Sequence, residues 1–193
     1  MLSYEESLKI LKETNALLEG HFVLSSGLHS NQYVQCAKLL SYPDKAEVVC
    51  SSLSKKIKGE HNKIDIILSP AIGGIVVGYE IGRQLNVETV FAERLDGKLT
   101  LRRGFEIKKN SKVLVVEDVI TTGKSALECL DLIKSYNSIL LGYACIIDRS
   151  NGQSLIKNKI ISQVNLKMKT YSKDNLPENL KKISPVKPGS RNI

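Results

Sequence analysis

The 193-residue sequence has no tryptophan, two methionines and three phenylalanines, and no uninterrupted apolar stretch is long enough to span a bilayer. Its four cysteines form neither a CxxC motif nor another metal-ligand spacing, which indicates buried free thiols in a reducing compartment. The three histidines are scattered, as surface or structurally satisfied residues usually are. A Ser3-x-x-Glu6 capping box predicts an N-terminal helix and not a signal peptide. We therefore expect a cytoplasmic protein with no membrane partner.

The positive charge is unevenly distributed along the chain. The formal net charge is +8, and residues 151–193 carry nine lysines and arginines against Asp174 and Glu178, a net of +7. Tyr171 is the only aromatic residue in that stretch, so it offers little for stacking bases. A solvated lysine-rich face is the better interpretation, and we expect no specific nucleic-acid partner.

The segment VLVVEDVITTGKS, residues 113–125, resembles a nucleotide-binding loop only in part. A P-loop requires a glycine five residues before Gly123, and Asp118 occupies that position. No GxGxxG follows any strand-like run, so the dinucleotide-binding fingerprint is absent from the sequence as well. Neither common nucleotide motif explains this segment.

The same segment still has the outline of an anion site. Its apolar run at 113–116 predicts a strand covered on both faces, and 121–125 supplies hydroxyls and a glycine where a helix begins. Glu117 and Asp118, at the strand's end, suit hydroxyl donors or a cation. A ligand with a phosphate and a vicinal diol, such as ribose 5-phosphate, satisfies both halves. The alternative is a solvated turn followed by a helix cap. The predicted inner face of the helix comprises Ala126, Leu127, Leu130 and Ile133.

Helix and strand patterns alternate along the chain, which predicts an α/β fold with a central, mostly parallel sheet flanked by helices. We expect helices near 3–19, from Pro43 to about Gly59, and over GGIVVGYEIGRQL. A hairpin is predicted at HFVLSSGLHSNQYVQ, and strands are predicted at IDIILS, VETVFAE and SILLGYACIID.

Three further clusters follow predicted strands. The glycines of Ser69-Pro-Ala-Ile-Gly-Gly74 either admit phosphate oxygens or allow tight helix packing. The cationic segment 94–104 is either a hairpin with solvated charges or a mobile lid over a polyanion. Arg149, after the strand ending at Ile147, either binds a carboxylate or pairs with Asp148.

VLVVEDVITTGKS resembles the phosphoribosyl-diphosphate signature of the type I phosphoribosyltransferases. SPAIGG, FAERLDGKLTLRRGF, IIDRS and the terminal KPGSR are similar to the members that use orotate, so the resemblance covers nearly the whole chain. It implies a single domain over 1–193, with a core of about 43–165. It also implies a small hood formed by about 1–40 and the C-terminal segment.

The resemblance further implies a site, a cofactor and an assembly. The catalytic residues would be Lys98, Arg94 and Arg102 of the lid, together with Asp118. Orotate would be contacted by Thr121 and Arg149. Mg²⁺ would be held mainly through the substrate, and a homodimer would place each lid over the neighbouring subunit's site. The pyrophosphate loop would be Ala71, Ile72, Gly73 and Gly74. The phosphoribosyl diphosphate would be bound by Glu117, Asp118, Val119, Ile120, Thr121, Thr122, Gly123, Lys124 and Ser125.

Two positions depart from the pattern of many such members, which have lysines where this chain has Ser25 and Gly73. Compensating cations could come from the lid, whose candidates are Arg94, Lys98, Arg102 and Arg103.

The expected reaction transfers the 5-phosphoribosyl group from phosphoribosyl diphosphate to orotate, giving orotidine 5′-phosphate and pyrophosphate in pyrimidine (UMP) biosynthesis. No covalent nucleophile is evident. Three alternatives remain: a transferase for another base, a phosphoribosyl-diphosphate-sensing nucleic-acid-binding regulator, and a non-catalytic α/β domain. The regulator is disfavoured because about 20 residues before the hairpin are expected to leave no room for a winged helix.

Overall fold

Two β-sheets of unequal size organise the computed structural model, which describes residues 1–24 and 26–188. The large sheet has the strand order β5-β4-β3-β6-β7-β8, and only β4 and β5 pair in the antiparallel sense. The small sheet has the order β1-β2-β9 and is antiparallel. The strands are β1 (Leu17–Val23), β2 (His29–Val34), β3 (Ile66–Pro70), β4 (Glu88–Leu95), β5 (Lys98–Leu101), β6 (Lys112–Ile120), β7 (Ile139–Asp148), β8 (Ile160–Asn165) and β9 (Thr170–Tyr171).

Helices cover both faces of the large sheet because its buried strands direct alternate apolar residues to opposite sides. On β6, Leu114 packs with the residues of α3 and α4, and Val115 packs with those of α5. The predicted α/β class with a mostly parallel sheet is confirmed. The helices are α1 (Tyr4–Glu13), α2 (Cys36–Leu40), α3 (Pro43–Glu60), α4 (Gly73–Leu85), α5 (Lys124–Ser135) and α6 (Glu178–Lys181), with a 3₁₀ turn at Lys173–Asn175.

The N-terminal helix is shorter than predicted. Ser3 caps α1 as the capping box requires, but the helix ends at Glu13 and not near residue 19. Asn15 adopts a left-handed conformation with φ of 55°, which stops the helix, and Leu17 already belongs to β1. The apolar residues after it therefore belong to the small sheet. The sequence patterns also missed the five-residue helix α2.

The C-terminal segment packs against the N-terminal hairpin. β9 pairs with β2, and Val186 forms an isolated bridge with Phe22 of β1. Ser25 and residues 189–191 of the KPGSR motif lie outside the described residues. Across the part of the chain that the structure describes, no helix has the length and apolar character needed to cross a membrane. All four cysteines are buried and unpaired, as predicted.

Candidate active site

The centre of the large sheet is a topological switch point. From β3 the chain moves outward to β4 on one side, and β6 later pairs with β3 on the other side. The loops that follow β3 and β6 therefore leave the same edge of the sheet next to one another, where α/β proteins bind ligands. The 69–74 and 117–125 segments, which contain these loops, are thus neighbours at this edge.

Asp118 and the loop after β3 are in close contact. A Cβ atom built at Gly73 would lie 2.8 Å from Asp118 Oδ1, so only glycine fits there without displacement. Asp118 Oδ1 also accepts a hydrogen bond from the backbone N–H of Val119 at 2.9 Å. Both acids lie within β6, which runs on to Ile120, and not at its end as predicted. Their side chains are consequently held by strand backbone.

The two acids are poorly solvated. Burial, followed by the charges of Asp118 and Glu128, raises the pKa of Glu117 to about 8. Burial also raises the pKa of Asp118, although its backbone hydrogen bonds oppose that shift. Two adjacent carboxylates in this environment favour retaining a proton until hydroxyl donors or a cation arrive. The acid pair is thus suited to a polyhydroxyl ligand, as the sequence indicated.

We expect Glu117→Gln to stabilise the ligand-free protein at high pH. The pKa of Glu117 is higher in the folded protein (about 8) than its ordinary value of 4.5, so the folded state holds this proton more tightly than the unfolded chain does. Stability therefore declines as pH rises from about 4.5 to about 8. Urea unfolding should show a gain of several kcal/mol for the variant at pH 8.5, at most about 5 kcal/mol, and almost none at pH 4.5.

The matched control for this variant is Glu106→Gln, which neutralises an exposed carboxylate. Its stability should differ from wild type by less than about 0.5 kcal/mol at either pH. If the Glu117→Gln variant is less stable than wild type at pH 8.5, favourable interactions of the Glu117 carboxylate in the ligand-free protein must outweigh its desolvation cost.

The loop after β6 contacts residues 155 and 156 on one side and lines a cavity on the other. Gly123 has a φ of 78°, and a Cβ there would lie 2.8 Å from Ile156 Cγ1. The carbonyl of Thr122 accepts a hydrogen bond from Leu155 N–H at 2.8 Å. Helix α5 then begins at Lys124, with its first N–H groups at the carboxyl edge of the sheet. This arrangement presents backbone donors and a positive helix end to an anion.

Arg149 is not part of an Asp148–Arg149 pair. Its Nε donates to Thr121 Oγ1 at 2.8 Å, whereas Asp148 accepts from Ser150 N–H at 2.9 Å and from Asn165 Nδ2 at 3.4 Å. Burial lowers the pKa of the Arg149 guanidinium, and within residues 1–24 and 26–188 no carboxylate forms an ion pair with it. A half-buried guanidinium of this kind is suited to an anionic ligand.

One cavity of about 740 Å³ brings most of these groups together. It joins the acid pair, the loop after β6 (residues 121–125, called the phosphate loop for its proposed role) and Arg149 to the N-terminal hairpin and the C-terminal segment. Its lining comprises Val23, Leu24, Tyr33, Val34, Gln35, Glu117, Asp118, Val119, Thr121, Thr122, Gly123, Lys124, Ser125, Arg149, Lys187 and Pro188. Neither the 71–74 loop nor the 94–104 segment lines it. Sequence reasoning assigned no role to the hairpin residues that line the cavity or to Lys187, although Lys187 begins the KPGSR motif.

Strands β4 and β5 form a hairpin whose turn lies within the 94–104 segment. Asp96 and Gly97 both have positive φ, 48° and 81°, as a type I′ turn between β4 and β5 requires. Arg94 donates to the carbonyl of Gly97 and to Glu128. Lys98 is exposed and lies outside the cavity wall. The two remaining arginines, Arg102 and Arg103, both pair with Glu93, at 3.5 and 2.6 Å.

The acid pair, the anion loop and the half-buried arginine at this switch point together suit a ligand that carries both hydroxyl groups and anionic groups. A family model described as a phosphoribosyl transferase domain matches residues 41–174, and the chain belongs to this family, as its motifs predicted.

The relatives narrow the class further. The chain is 45% identical over 192 residues to orotate phosphoribosyltransferase from Caldicellulosiruptor saccharolyticus, covering 100% of both chains. It is 45% identical over 189 residues to orotate phosphoribosyltransferase from Caldanaerobacter subterraneus subsp. tengcongensis, covering 98% of both. The crystal structure of orotate phosphoribosyltransferase from Aeropyrum pernix has a TM-score of 0.72 at 24% identity, covering 82% of this chain and 93% of that chain. At 24% identity, this structural similarity shows a shared fold.

Proposed function

We propose that this protein transfers the 5-phosphoribosyl group from phosphoribosyl diphosphate to orotate, releasing pyrophosphate and forming orotidine 5′-phosphate for pyrimidine biosynthesis. The observation that carries the proposal is the shared cavity, in which the acid pair and the phosphate loop face Arg149. Full-length relatives at 45% identity bear the name of this activity.

We propose a partner for each part of the sugar phosphate. The 5-phosphate binds in the loop 121–125, at the N-terminus of α5. The ribose hydroxyls donate to Glu117 and Asp118, which hold the ring and lie near the positive charge that develops on the sugar in the transition state. Pyrophosphate departs beside the loop 71–74, which Gly73 allows to approach Asp118.

Mg²⁺ fits this site as a partner of the substrate. Among the described residues no cluster of three or more histidines, cysteines or acids could hold a metal alone, and Mg²⁺ commonly binds through one or two carboxylates together with substrate phosphates. Glu117 and Asp118 are the carboxylates available. When bound, the ion neutralises charge on the departing pyrophosphate.

Arg149 and Thr121 select the base in this proposal. Orotate carries a carboxylate that a planar guanidinium can bind through two parallel hydrogen bonds. The hydrogen bond from Arg149 Nε to Thr121 Oγ1 holds the guanidinium next to the phosphate loop. The base therefore binds between the loop and the small sheet, which we propose acts as the hood of a single domain.

We propose a cytoplasmic homodimer in which the β4–β5 hairpin is a lid over the neighbouring subunit's site. Three apolar side chains are exposed, Ile72 (85%), Val76 (50%) and Tyr79 (65%), and they form a surface on and before α4 that a second copy would bury. The arginines of the hairpin have partners within their own subunit. In the described part of the chain Lys98 has none, which makes it the leading lid cation.

A mixed dimer tests the lid. Lys98→Ala and Asp118→Ala should each be nearly inactive alone, because one lacks the lid cation and the other the acid that holds ribose. After subunit exchange, random pairing should restore about a quarter of wild-type activity, since half of the dimers contain one site with both groups intact. Steady-state pyrophosphate release, with exchange verified by mass-tagged subunits, measures this. No recovery would mean that the lid acts within its own subunit or that Lys98 is not its cation.

A pyrophosphate-release assay with a panel of free bases tests the proposed function directly. Orotate should support turnover, and uracil, adenine, guanine and hypoxanthine should not. Turnover with a purine and not with orotate would show that the acceptor base is a purine, and the proposed phosphoribosyl site would stand. Tight, sequence-selective DNA binding at physiological salt, without turnover of any base, would favour a regulator.

A further inference from the structure

The C-terminal segment 183–188, here called the strap, is fixed along the edge of β1. The backbone N–H of Val23 donates to the carbonyl of Val186 at 2.9 Å, and the N–H of Val186 donates to the carbonyl of His21 at 2.8 Å. The side chain of His21, only 4% exposed, places Nδ1 2.8 Å from the carbonyl oxygen of Ile183. The strap is thus held at two points by one residue of the hairpin.

Because the backbone of Val186 is fixed on β1, the neighbouring Lys187 is held where it lines the cavity. Val186 is 55% exposed; Lys187 is exposed as well, and it lines the open side of the cavity together with Pro188. Among the described residues of the hairpin and strap that line the cavity, Lys187 is the one charged side chain. The others are Val23, Leu24, Tyr33, Val34, Gln35 and Pro188.

Contacts across the small sheet connect the strap to the Arg149 end of the cavity. Val186 forms a bridge with Phe22, whose ring centroid lies 5.7 Å from that of Tyr33. Tyr33 in turn lines the same cavity as Arg149. The strap cation and the arginine therefore both belong to the part of the cavity that the small sheet covers.

We propose that Lys187 is a second cation for the anionic acceptor base, a specificity-determining residue that the strap supplies. The assignment rests on the proposed transfer to orotate. The carboxylate and the neighbouring ring oxygens of the base would bind more tightly between two cations. The planar guanidinium of Arg149 supplies one, and the ammonium of Lys187 supplies the other. Since Lys187 reaches the cavity only when the strap is docked on β1, the C-terminal segment completes the base site.

Steady-state kinetics of Lys187→Ala test the assignment. We expect KM for orotate to rise about ten- to hundredfold, the range for losing a hydrogen bond to a charged group. KM for phosphoribosyl diphosphate should change less than about threefold, because that ligand is held by the acid pair and the loop of β6. Lys187→Arg, which keeps the charge, should recover most of the orotate affinity. Lys182→Ala removes an exposed lysine of the same stretch outside the cavity wall and is the control.

A second pair of variants tests whether the docking of the strap on β1 is needed, without changing the lysine itself. Val186→Pro removes the N–H that donates to His21 and should release the strap, raising KM for orotate as Lys187→Ala does. Val186→Ala keeps that N–H and should behave as wild type.

The outcomes distinguish this assignment from the function on which it rests. A wild-type protein without orotate turnover overturns both. Wild-type turnover with an unchanged KM for orotate in Lys187→Ala, or with an equal rise in both KM values, overturns the role of Lys187 alone.

Discussion

The kcat/KM with orotate should exceed that with uracil by at least about a thousandfold, and Arg149→Ala should remove most of this preference. The two bases differ by one carboxylate, and a site built to pair that group leaves its own polar atoms unsatisfied when the group is missing. A thousandfold preference corresponds to about 4 kcal/mol in the transition state. Arg149 provides it because its guanidinium is half-buried and hydrogen-bonded to Thr121, with no ion pair in the described chain.

The control for this prediction is to measure the affinity for phosphoribosyl diphosphate separately from turnover of orotate. Arg149→Ala should lower kcat/KM for orotate by about a hundredfold or more, while the affinity for phosphoribosyl diphosphate, measured by titration calorimetry, changes less than about threefold. Arg83→Ala, which removes an exposed arginine outside the cavity wall, should leave both values unchanged. Equal losses in both measurements would instead mark Arg149 as a structural residue.

Asp118→Asn should cost about a hundredfold or more in kcat without destabilising the ligand-free protein. The amide keeps the shape of the side chain but removes the charge that accepts the ribose hydroxyls and faces the developing positive charge. Charge-assisted hydrogen bonds are worth about 1.5–3 kcal/mol each. In the free protein that same charge is buried and its pKa is raised, so its removal relieves a desolvation cost.

Activity and stability should therefore move in opposite directions in this variant. Single-turnover kinetics report the first, and thermal unfolding without ligand reports the second. Asp131→Asn, an exposed acid on α5, should change neither. Wild-type turnover by folded Asp118→Asn would refute the assignment of the ribose site to this acid.

The regular elements of the large sheet were predictable because their signals are local. The apolar run before Glu117 and the glycines that open α4 determine their elements within a few residues, and both were confirmed. The end of α1 depended on Asn15 adopting a left-handed conformation, which hydrophobic periodicity does not report. The sequence thus predicted which elements form more reliably than where they end.

The composition of the cavity was predictable only where residues follow adjacent strands. Glu117, Asp118 and Thr121–Ser125 share a single motif, and Arg149 follows the neighbouring strand, so parallel pairing alone brings them together. Lys187 reaches the cavity through a contact between the two ends of the chain, about 165 positions apart. In the sequence it was one lysine among the nine basic residues of the C-terminal stretch.

The contact between Gly73 and Asp118 makes these two positions genetically interdependent. Any side chain at 73 enters the volume of the Asp118 carboxylate, so its effect depends on which residue occupies 118. A lysine introduced at 73 would have to displace the acid that it was meant to assist. A side chain at position 73 therefore requires a shift of the Asp118 carboxylate, whereas extra cationic charge for pyrophosphate placed outside the 71–74 loop does not.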